Sequence, residues 1–253
     1  MSWNWFLILS LLFWNCSEPE PSYHSALLSG YHYLEIPHSE DIAYLENGNH
    51  TIQFWFRADT ALQNYSPALF MLTNSTGGNE YGLYLSRNFG GTWMLYAQDK
   101  LQSLIRFDAD ARDGRFHYLA LTINYQRREA MLRLDTLQET FSWPDSVIFS
   151  GSNLLIGADY DDFNDDVGNF WLGEIDELRI WREILDNSTL DFHYKNPAKV
   201  TRHYNSSWEN RLIGLWRMNS LSNGYINDDS GNGNNARFIS VNGDIKPVSY
   251  THL

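Results

Sequence analysis

The densest group of carboxylates in the sequence lies between residues 159 and 166, where five aspartates and an asparagine fall within eight residues. Calcium takes roughly six to eight oxygen ligands at about 2.4 Å, and such a segment offers carboxylate, amide and carbonyl oxygens together. We predict a calcium site that includes Asp161, Asp162 and Asp165. A solvated acidic loop is the alternative, because the spacing does not match an EF-hand.

Asp176 and Asp228 complete the candidate metal ligands. Asp228 begins a Gly- and Asn-rich segment over residues 228–235, for which a tight turn is the simpler interpretation. Asp176 adjoins Glu177, and successive residues of a strand point to opposite faces, so the two carboxylates are not expected to converge as a glycosidase pair. One of them is expected to face the core edge or a metal and the other to face solvent.

The sequence offers no other recognisable catalytic arrangement. Its eight histidines lack the spacing of zinc ligands on a helix or hairpin. Neither a Gly-x-Ser-x-Gly motif nor a phosphate-binding loop is present. His117 is expected to be a hydrogen-bonded structural residue. We therefore predict that the chain is not an enzyme.

Aromatic residues make up 15% of the chain and include 10 Trp and 15 Tyr. An exposed ring can pack against the C–H groups of a saccharide while neighbouring Asn, Asp or Arg side chains bind its hydroxyls. Most aromatic side chains of a β-sandwich are nonetheless core residues. The candidates for an exposed sugar-binding face, all in or beside predicted loops, are Tyr65, Trp93, Tyr96, Trp143, Tyr160 and Phe163.

Short strands must position these residues. Residues 51–58 alternate apolar and mostly polar positions with a period of two, and similar segments follow at spacings of about 8 to 12 residues, separated by turns rich in Gly, Asn, Asp and Ser. One short helix is expected, capped by Asn187 or Ser188 and extending through Tyr194. The pattern predicts an all-β fold, an antiparallel two-sheet sandwich.

Three segments carry a family resemblance. The sequence GEIDELRIW at residues 173–181 resembles the closing strand of laminin G-like, concanavalin A-type jelly rolls. Residues 33–37 with 51–58 resemble the first strands of that family, and residues 114–122 resemble its central strand. The resemblance covers roughly residues 25–190 and implies a two-sheet antiparallel jelly roll, often stabilised by calcium and often an accessory to surface enzymes or adhesins. It does not fix a ligand.

The composition divides the chain into one main domain and flanking segments. An apolar run of signal-peptide length ends at Cys16, the only cysteine, and resembles a bacterial lipoprotein signal in which this cysteine is lipidated. The expected organisation is a signal peptide over residues 1–16, a linker over 17–24, a jelly-roll domain over 25–195, a segment over 196–246 that completes the sandwich or opens a second such domain, and a non-native tail over 247–253.

The net charge of −13 repels phosphate backbones, so nucleic acid is not an expected partner, and membrane contact is expected only through a lipid on Cys16. We predict a secreted or surface-exposed module, a bacterial outer-membrane lipoprotein, that binds a glycan or polysaccharide without catalysis and with the help of calcium. The alternatives are an adhesion or scaffold domain that binds a cell-surface protein, and the accessory module of a truncated polysaccharide-degrading enzyme. Several Asn-x-Ser/Thr sequons leave a eukaryotic secreted glycoprotein as the alternative source.

Overall fold

The computed structural model describes residues 24–60, 66–73, 79–86, 88, 91–97, 100–144, 151, 153–161, 166–201 and 208–241. Its strands are β1 (Ala26–Ser29), β2 (His32–Ile36), β3 (His50–Ala58), β4 (Ala68–Thr73), β5 (Asn79–Leu85), β6 (Thr92–Ala97), β7 (Lys100–Arg106), β8 (Phe116–Asn124), β9 (Glu129–Leu134), β10 (Leu137–Ser142), β11 (Leu154–Ile156), β12 (Asp159–Asp161), β13 (Asp166–Gly168), β14 (Leu172–Trp181), β15 (Leu212–Trp216), β16 (Tyr225–Ile226) and β17 (Ala236–Ser240). The α-helices in this part of the chain are α1 (Glu40–Ala43) and α2 (Asn187–Lys195). None of the described helices is long and apolar enough to cross a membrane.

The described strands form two large antiparallel sheets and one small hairpin. Sheet A has the order β1-β14-β3-β8-β9-β10, with β15 also paired to β14, and sheet B has the order β16-β17-β2-β11-β4-β5-β6-β7. The hairpin consists of β12 and β13. The two sheets share one apolar core, which confirms the predicted antiparallel two-sheet sandwich.

Strand β3 shows how the alternating sequence produces this architecture. Phe54 and Phe56 are fully buried between the sheets, whereas Trp55 and Arg57 are only partly buried on the outer face of sheet A. The ring of Phe54 meets that of Phe70 on sheet B edge to face, with centroids 6.5 Å apart, an arrangement that aromatic quadrupoles favour. The period of two predicted for this segment is therefore confirmed.

The segment after residue 208 contributes strands to both sheets. β15 pairs with β14 in sheet A, and β17 pairs with β2 in sheet B. At the start of β16, Ser222 and Tyr225 pair as an antiparallel bridge, and the two residues between them, Asn223 and Gly224, both have positive φ (52° and 81°), as a two-residue hairpin turn of this hand requires. One sandwich therefore includes strands from residue 26 to residue 240.

Helix α2 covers part of the outer face of sheet A. Its buried residues Leu190 and His193 face the sheet, and the imidazole of His193 stacks on Trp181 with ring centroids 5.6 Å apart. The helix is capped by Asp186, whose carboxylate accepts a hydrogen bond from the Thr189 backbone N–H at 2.7 Å. The predicted caps, Asn187 and Ser188, were therefore wrong by one or two positions.

Candidate functional site

An open groove of about 490 Å³ lies on the outer face of sheet B. We name it the tyrosine groove; it is lined by Ser66, Tyr84, Ser86, Asn88, Met94, Tyr96, Asp159 and Asn169. Strand alternation produces this lining, because the inward positions of β5 and β6 are filled by core residues such as Leu83 and Leu95, and the intervening side chains must point outward.

Two tyrosines form the aromatic part of the groove. The rings of Tyr84 and Tyr96 meet edge to face, with centroids 5.2 Å apart and an interplanar angle of 72°. Tyr84 is buried, whereas Tyr96 is partly exposed. Gly82 lies opposite Tyr96 in the sheet, and a Cβ at position 82 would lie 2.4 Å from Cε of Met71. The missing side chain therefore leaves the space in which Met71 lies beneath the groove.

A buried carboxylate forms the polar part of the groove. Asp159, at the start of β12, is only 2% exposed. Its Oδ2 accepts hydrogen bonds from the hydroxyl of Tyr84 at 2.7 Å and from Nδ2 of Asn169 at 2.9 Å. The carbonyl of Asn169 accepts a hydrogen bond from the Ala68 backbone N–H at 2.8 Å. The β12–β13 hairpin is thus attached to the sheet at the point where the groove presents its hydrogen-bonding groups.

Two of the predicted sugar-binding aromatics lie at or near this groove. Tyr96 lines it directly, and Tyr160 is a partly exposed residue of β12, next in sequence to Asp159. Tyr65 and Phe163 lie outside the described residues.

Trp93 and Trp143 were wrongly predicted to be exposed. Trp93 is fully buried and meets Phe56 edge to face across the core at 5.4 Å. Trp143 is 3% exposed and packs against Tyr81 at 5.6 Å. Both indole rings therefore belong to the core between the sheets, because they occupy inward positions even though they lie close to loops.

The predicted metal ligands of the acidic segment fall mostly outside the described residues. Asp161 is the last residue of β12, and Asp162 and Asp165 are not described. Within the described part of the chain, no three His, Cys, Asp or Glu residues are placed to hold a metal ion. The calcium site remains a prediction. Cys16, the predicted lipidation site, also lies outside the described residues.

Asp176 and Glu177 do not divide between core and solvent as predicted. The register of β14 shifts between Asp176 and Arg179, and Glu177 has φ 50°, so the strand bulges at this point. Ile175 and Leu178 on either side belong to the core, and both carboxylates are buried, at 2% and 3% exposure. The expectation of one solvent-facing carboxylate was wrong, because the bulge breaks the simple alternation.

The two carboxylates of the bulge differ in their partners. Glu177 accepts hydrogen bonds from Arg179 at 2.5 Å and from Arg217 at 3.0 Å. Asp176 accepts one from the Glu177 backbone N–H at 2.7 Å. Burial, together with the nearby charge of Glu177, raises the pKa of Asp176 to about 8. Asp176 therefore keeps its proton to a higher pH than an exposed aspartate does, and its predicted role as a metal ligand stays a prediction.

Asp228 organises the turn that it begins. Its carboxylate accepts hydrogen bonds from the backbone N–H groups of Leu215 (2.9 Å), Ser230 (2.9 Å) and Asn234 (3.0 Å). These contacts support the simpler interpretation of residues 228–235 as a structural turn.

His117 lies at the end of sheet A, between two carboxylates. Its Nδ1 lies 2.8 Å from Asp135 and its Nε2 lies 3.0 Å from Asp113. Burial would lower the pKa of His117, but the hydrogen bonds to Asp135 and Asp113 outweigh it and raise the pKa above its usual value. His117 is thus the hydrogen-bonded structural residue that the sequence predicted.

Sequence reasoning missed Tyr84 and Asn169. Tyr84 lies in the middle of an apolar strand, where an aromatic is expected in the core. The signal that identifies it is its position between Leu83 and Leu85, both core residues, because side chains alternate along a strand.

Comparisons with known proteins show which family and which solved structures this chain is similar to. A laminin G-type family model, described as the concanavalin A-like lectin/glucanases superfamily, matches residues 28–190. Among solved structures, a putative carbohydrate binding protein from Bacteroides ovatus has 13% identity and a TM-score of 0.59, over 91% of this chain and 62% of that protein. A native heptameric SAP-like pentraxin from Limulus polyphemus has 14% identity and a TM-score of 0.54, over 68% and 82% of the two chains.

A third similar structure is the CBM40 of the Ruminococcus gnavus IT-sialidase, bound to α2,3-sialyllactose, with 16% identity and a TM-score of 0.52 over 67% of this chain and 95% of that one. At these identities the similarity shows a shared fold. A search of curated proteins found no match. Because the family match spans more than half of the sequence, and the strand order is that of a two-sheet sandwich, this chain belongs to the concanavalin A-like lectin/glucanases superfamily.

Proposed function

We propose that this chain is a lectin-like module that binds a saccharide in the tyrosine groove and carries out no chemistry on it. The observation that carries the proposal is the position of the partly exposed Tyr96 beside a buried carboxylate, Asp159, that Tyr84 and Asn169 already hold by hydrogen bonds. The rings offer a surface for the C–H groups of a sugar, and the fixed polar groups offer partners for its hydroxyls.

The charge of the groove favours a neutral saccharide. Asp159 contributes a carboxylate, and none of the described residues that line the groove is Lys or Arg. The chain as a whole carries a net charge of −13. An anionic sugar would meet repulsion without a compensating cation, so neutral glycans and polysaccharides are the proposed ligands.

The carboxylates of the described residues support binding rather than hydrolysis. Glycosidases place two carboxyl groups about 5 to 9 Å apart across the scissile bond. Among the described lining residues of the tyrosine groove, Asp159 alone carries a carboxylate. Asp176 and Glu177 are adjacent to each other, but they are buried on the other sheet, and Glu177 is held by two arginines.

Calcium is a further part of the proposal. The acidic segment 161–166 connects β12 to β13, and Asp161 and Asp166 are paired across the base of that connection. Carboxylate oxygens are the ligands that calcium prefers. We propose that calcium held by this segment fixes the hairpin and, through Asp159, the polar side of the groove.

We also propose that the module acts outside the cytoplasm, as a secreted or surface-attached protein with a lipid on Cys16. The apolar run that precedes Cys16 in the sequence supports this location. Metabolic labelling with a radioactive fatty acid tests it. Label in the protein but not in a Cys16→Ser variant is the expected result, and equal labelling of the two rejects the anchor.

The direct test is binding to a broad panel of glycans and polysaccharides, with calcium and with a chelator. We expect Tyr96→Ala to weaken binding about tenfold, because stacking on an aromatic ring contributes up to about 1.5 kcal/mol. Tyr225→Ala is the matched control, since Tyr225 is 42% exposed on β16 at the far edge of sheet B.

The outcomes separate the candidate functions. Loss of binding in chelator supports the calcium proposal, and unchanged binding in chelator rejects it while leaving the groove in place. Equal binding by Tyr96→Ala and the native protein contradicts the assignment of the tyrosine groove. No binding across a panel that a control lectin recognises would favour the adhesion alternative, in which the ligand is a cell-surface protein.

A further inference from the structure

A second groove, of about 410 Å³, lies on the outer face of sheet A. We name it the arginine groove. It occupies the part of the face where β1, β14 and β3 are neighbours, and the strand register sets a row of outward residues across its floor. This row consists of Leu27, Glu174, Arg57 and Phe116.

The polar centre of the arginine groove is held firmly in place. Glu174 is 2% exposed, and its carboxylate accepts hydrogen bonds from the hydroxyl of Ser25 and from Nη2 of Arg57. The guanidinium carbon of Arg57 lies 5.3 Å from the centroid of the Phe116 ring. The Arg57 side chain remains 35% exposed. A buried carboxylate and an aromatic ring therefore position a guanidinium that still faces the groove.

Two stacked aromatic residues lie beside the groove, on the side toward α2. Trp55 lies two residues before Arg57 on β3, so the two side chains share a face. Trp55 is partly exposed and stacks on Tyr194 of α2, with centroids 5.7 Å apart and an interplanar angle of 8°. Its cross-strand neighbour is Asp176. The indole ring of Trp55, in the row next to Arg57, is therefore held in a fixed orientation by α2.

We propose that the arginine groove is a second saccharide-binding site and that its ligand is neutral. Glu174 balances the charge of Arg57, and Asp59, which also lines the groove, adds a negative charge. An anion therefore gains little attraction here. The guanidinium still offers planar N–H donors, Asp59 is an acceptor, and Leu27 and Leu172 supply apolar walls. These groups suit a ligand that presents hydroxyl and C–H groups, such as a neutral sugar, better than one that presents a carboxylate or a phosphate.

The proposal goes beyond the function assigned to the tyrosine groove, because the two grooves lie on opposite outer faces of the sandwich. One chain would then hold two saccharides at once. A polysaccharide with many repeats would be bound with an avidity greater than the affinity of either groove, and two polysaccharide chains would be joined by a single module.

Calorimetry of the full chain with neutral hexasaccharides of glucose, xylose and mannose tests the proposal. The informative variants are Thr60→Trp, which fills the arginine groove from its exposed rim, and Arg57→Lys, which keeps the ion pair with Glu174 but loses the planar fork. Thr140→Trp, at an exposed position of β10, is the matched control. The measured quantities are the number of sugars bound per chain and the dissociation constant of each.

We expect two hexasaccharides per native chain, two for Thr140→Trp, one for Thr60→Trp and one for Tyr96→Ala. Arg57→Lys should weaken one of the two sites about tenfold, and hexagalacturonate, the anionic probe, should not bind in the arginine groove. Circular dichroism and the melting temperature of each variant show whether it is folded.

Each alternative outcome has one meaning. One sugar per native chain, lost only in Tyr96→Ala, overturns the second site and leaves the proposed function intact. One sugar per chain, lost only in Thr60→Trp, supports the arginine groove and overturns the tyrosine groove. Hexagalacturonate binding that Thr60→Trp abolishes overturns the neutral ligand, and no binding of any neutral hexasaccharide by the folded chain overturns the second site.

Discussion

The two outer faces of the sandwich carry similar residue types in different surroundings. On sheet A, helix α2 and the chain after it enclose charged side chains, so that Arg179 reaches Glu177 and the carbonyls of Pro197 and Lys199. On sheet B, the described residues place only the β12–β13 hairpin over the face, and Tyr96 stays partly exposed. Cover by another segment, rather than the type of residue, therefore decides whether a polar side chain is structural or available to a ligand.

The largest effect is expected from Glu177→Ala. The substitution leaves Arg179, which is 2% exposed, without its carboxylate partner. Removing one member of a buried ion pair costs about 3 to 5 kcal/mol in the free energy of unfolding. Urea denaturation measures it, with Glu183→Ala as the control, because the pair of Glu183 with Arg211 is partly exposed and its loss is expected to cost less than about 1 kcal/mol. Equal losses in the two variants would contradict the contrast between covered and exposed charges.

The second prediction concerns the pH dependence of stability and Asp176. Its pKa of about 8 in the folded chain exceeds the usual aspartate value of 3.8, so the folded state binds more protons than the unfolded state between these pH values. The free energy of unfolding should therefore decrease as the pH rises from about 4 to about 8, by a few kcal/mol from this group. Asp176→Asn should flatten this slope and retain the fold. An unchanged slope in the variant would show that another group causes it.

The smallest effect is expected on the open face, from Tyr84→Phe. This substitution removes one hydrogen bond to Asp159 and keeps the ring that packs against Tyr96. The expected loss of stability is about 1 kcal/mol. The affinity for a neutral saccharide should decrease several-fold, because the carboxylate loses one of the groups that orient it. A loss of stability as large as that of Glu177→Ala would mean that the tyrosine groove is as structural as the ion pair covered by the chain after α2.

The fold could be predicted because it depends on local alternation. In β3 one row is apolar and the other contains Gln53 and Arg57, so the inward face is evident from the sequence. In β6 both rows are apolar or aromatic, with Trp93 and Leu95 in one and Met94 and Tyr96 in the other. The choice between them depends on the register with β5 and β7, which is not a local property, and the prediction for Trp93 failed for this reason.

The candidate site was less predictable because its parts meet only through tertiary contacts. Asp159 is close to Tyr84 because the hairpin β12–β13 folds back over sheet B, and no spacing in the sequence encodes that contact. The bulge at Glu177 also depends on tertiary contacts. A non-glycine residue with positive φ is held there by Arg179 on its own strand and Arg217 after β15, so the irregularity depends on a strand synthesised more than thirty residues later.

The late addition of β15 and β17 to the two sheets has a consequence for biosynthesis. Until these strands are made, β2 lacks the neighbour that β17 provides and β14 lacks β15, so both sheets of the growing chain present unpaired backbone groups. Exposed strand edges promote association between incomplete chains. The module can therefore complete its folding only after residue 240 has been synthesised. Before that point the nascent chain most needs protection from association with other incomplete chains.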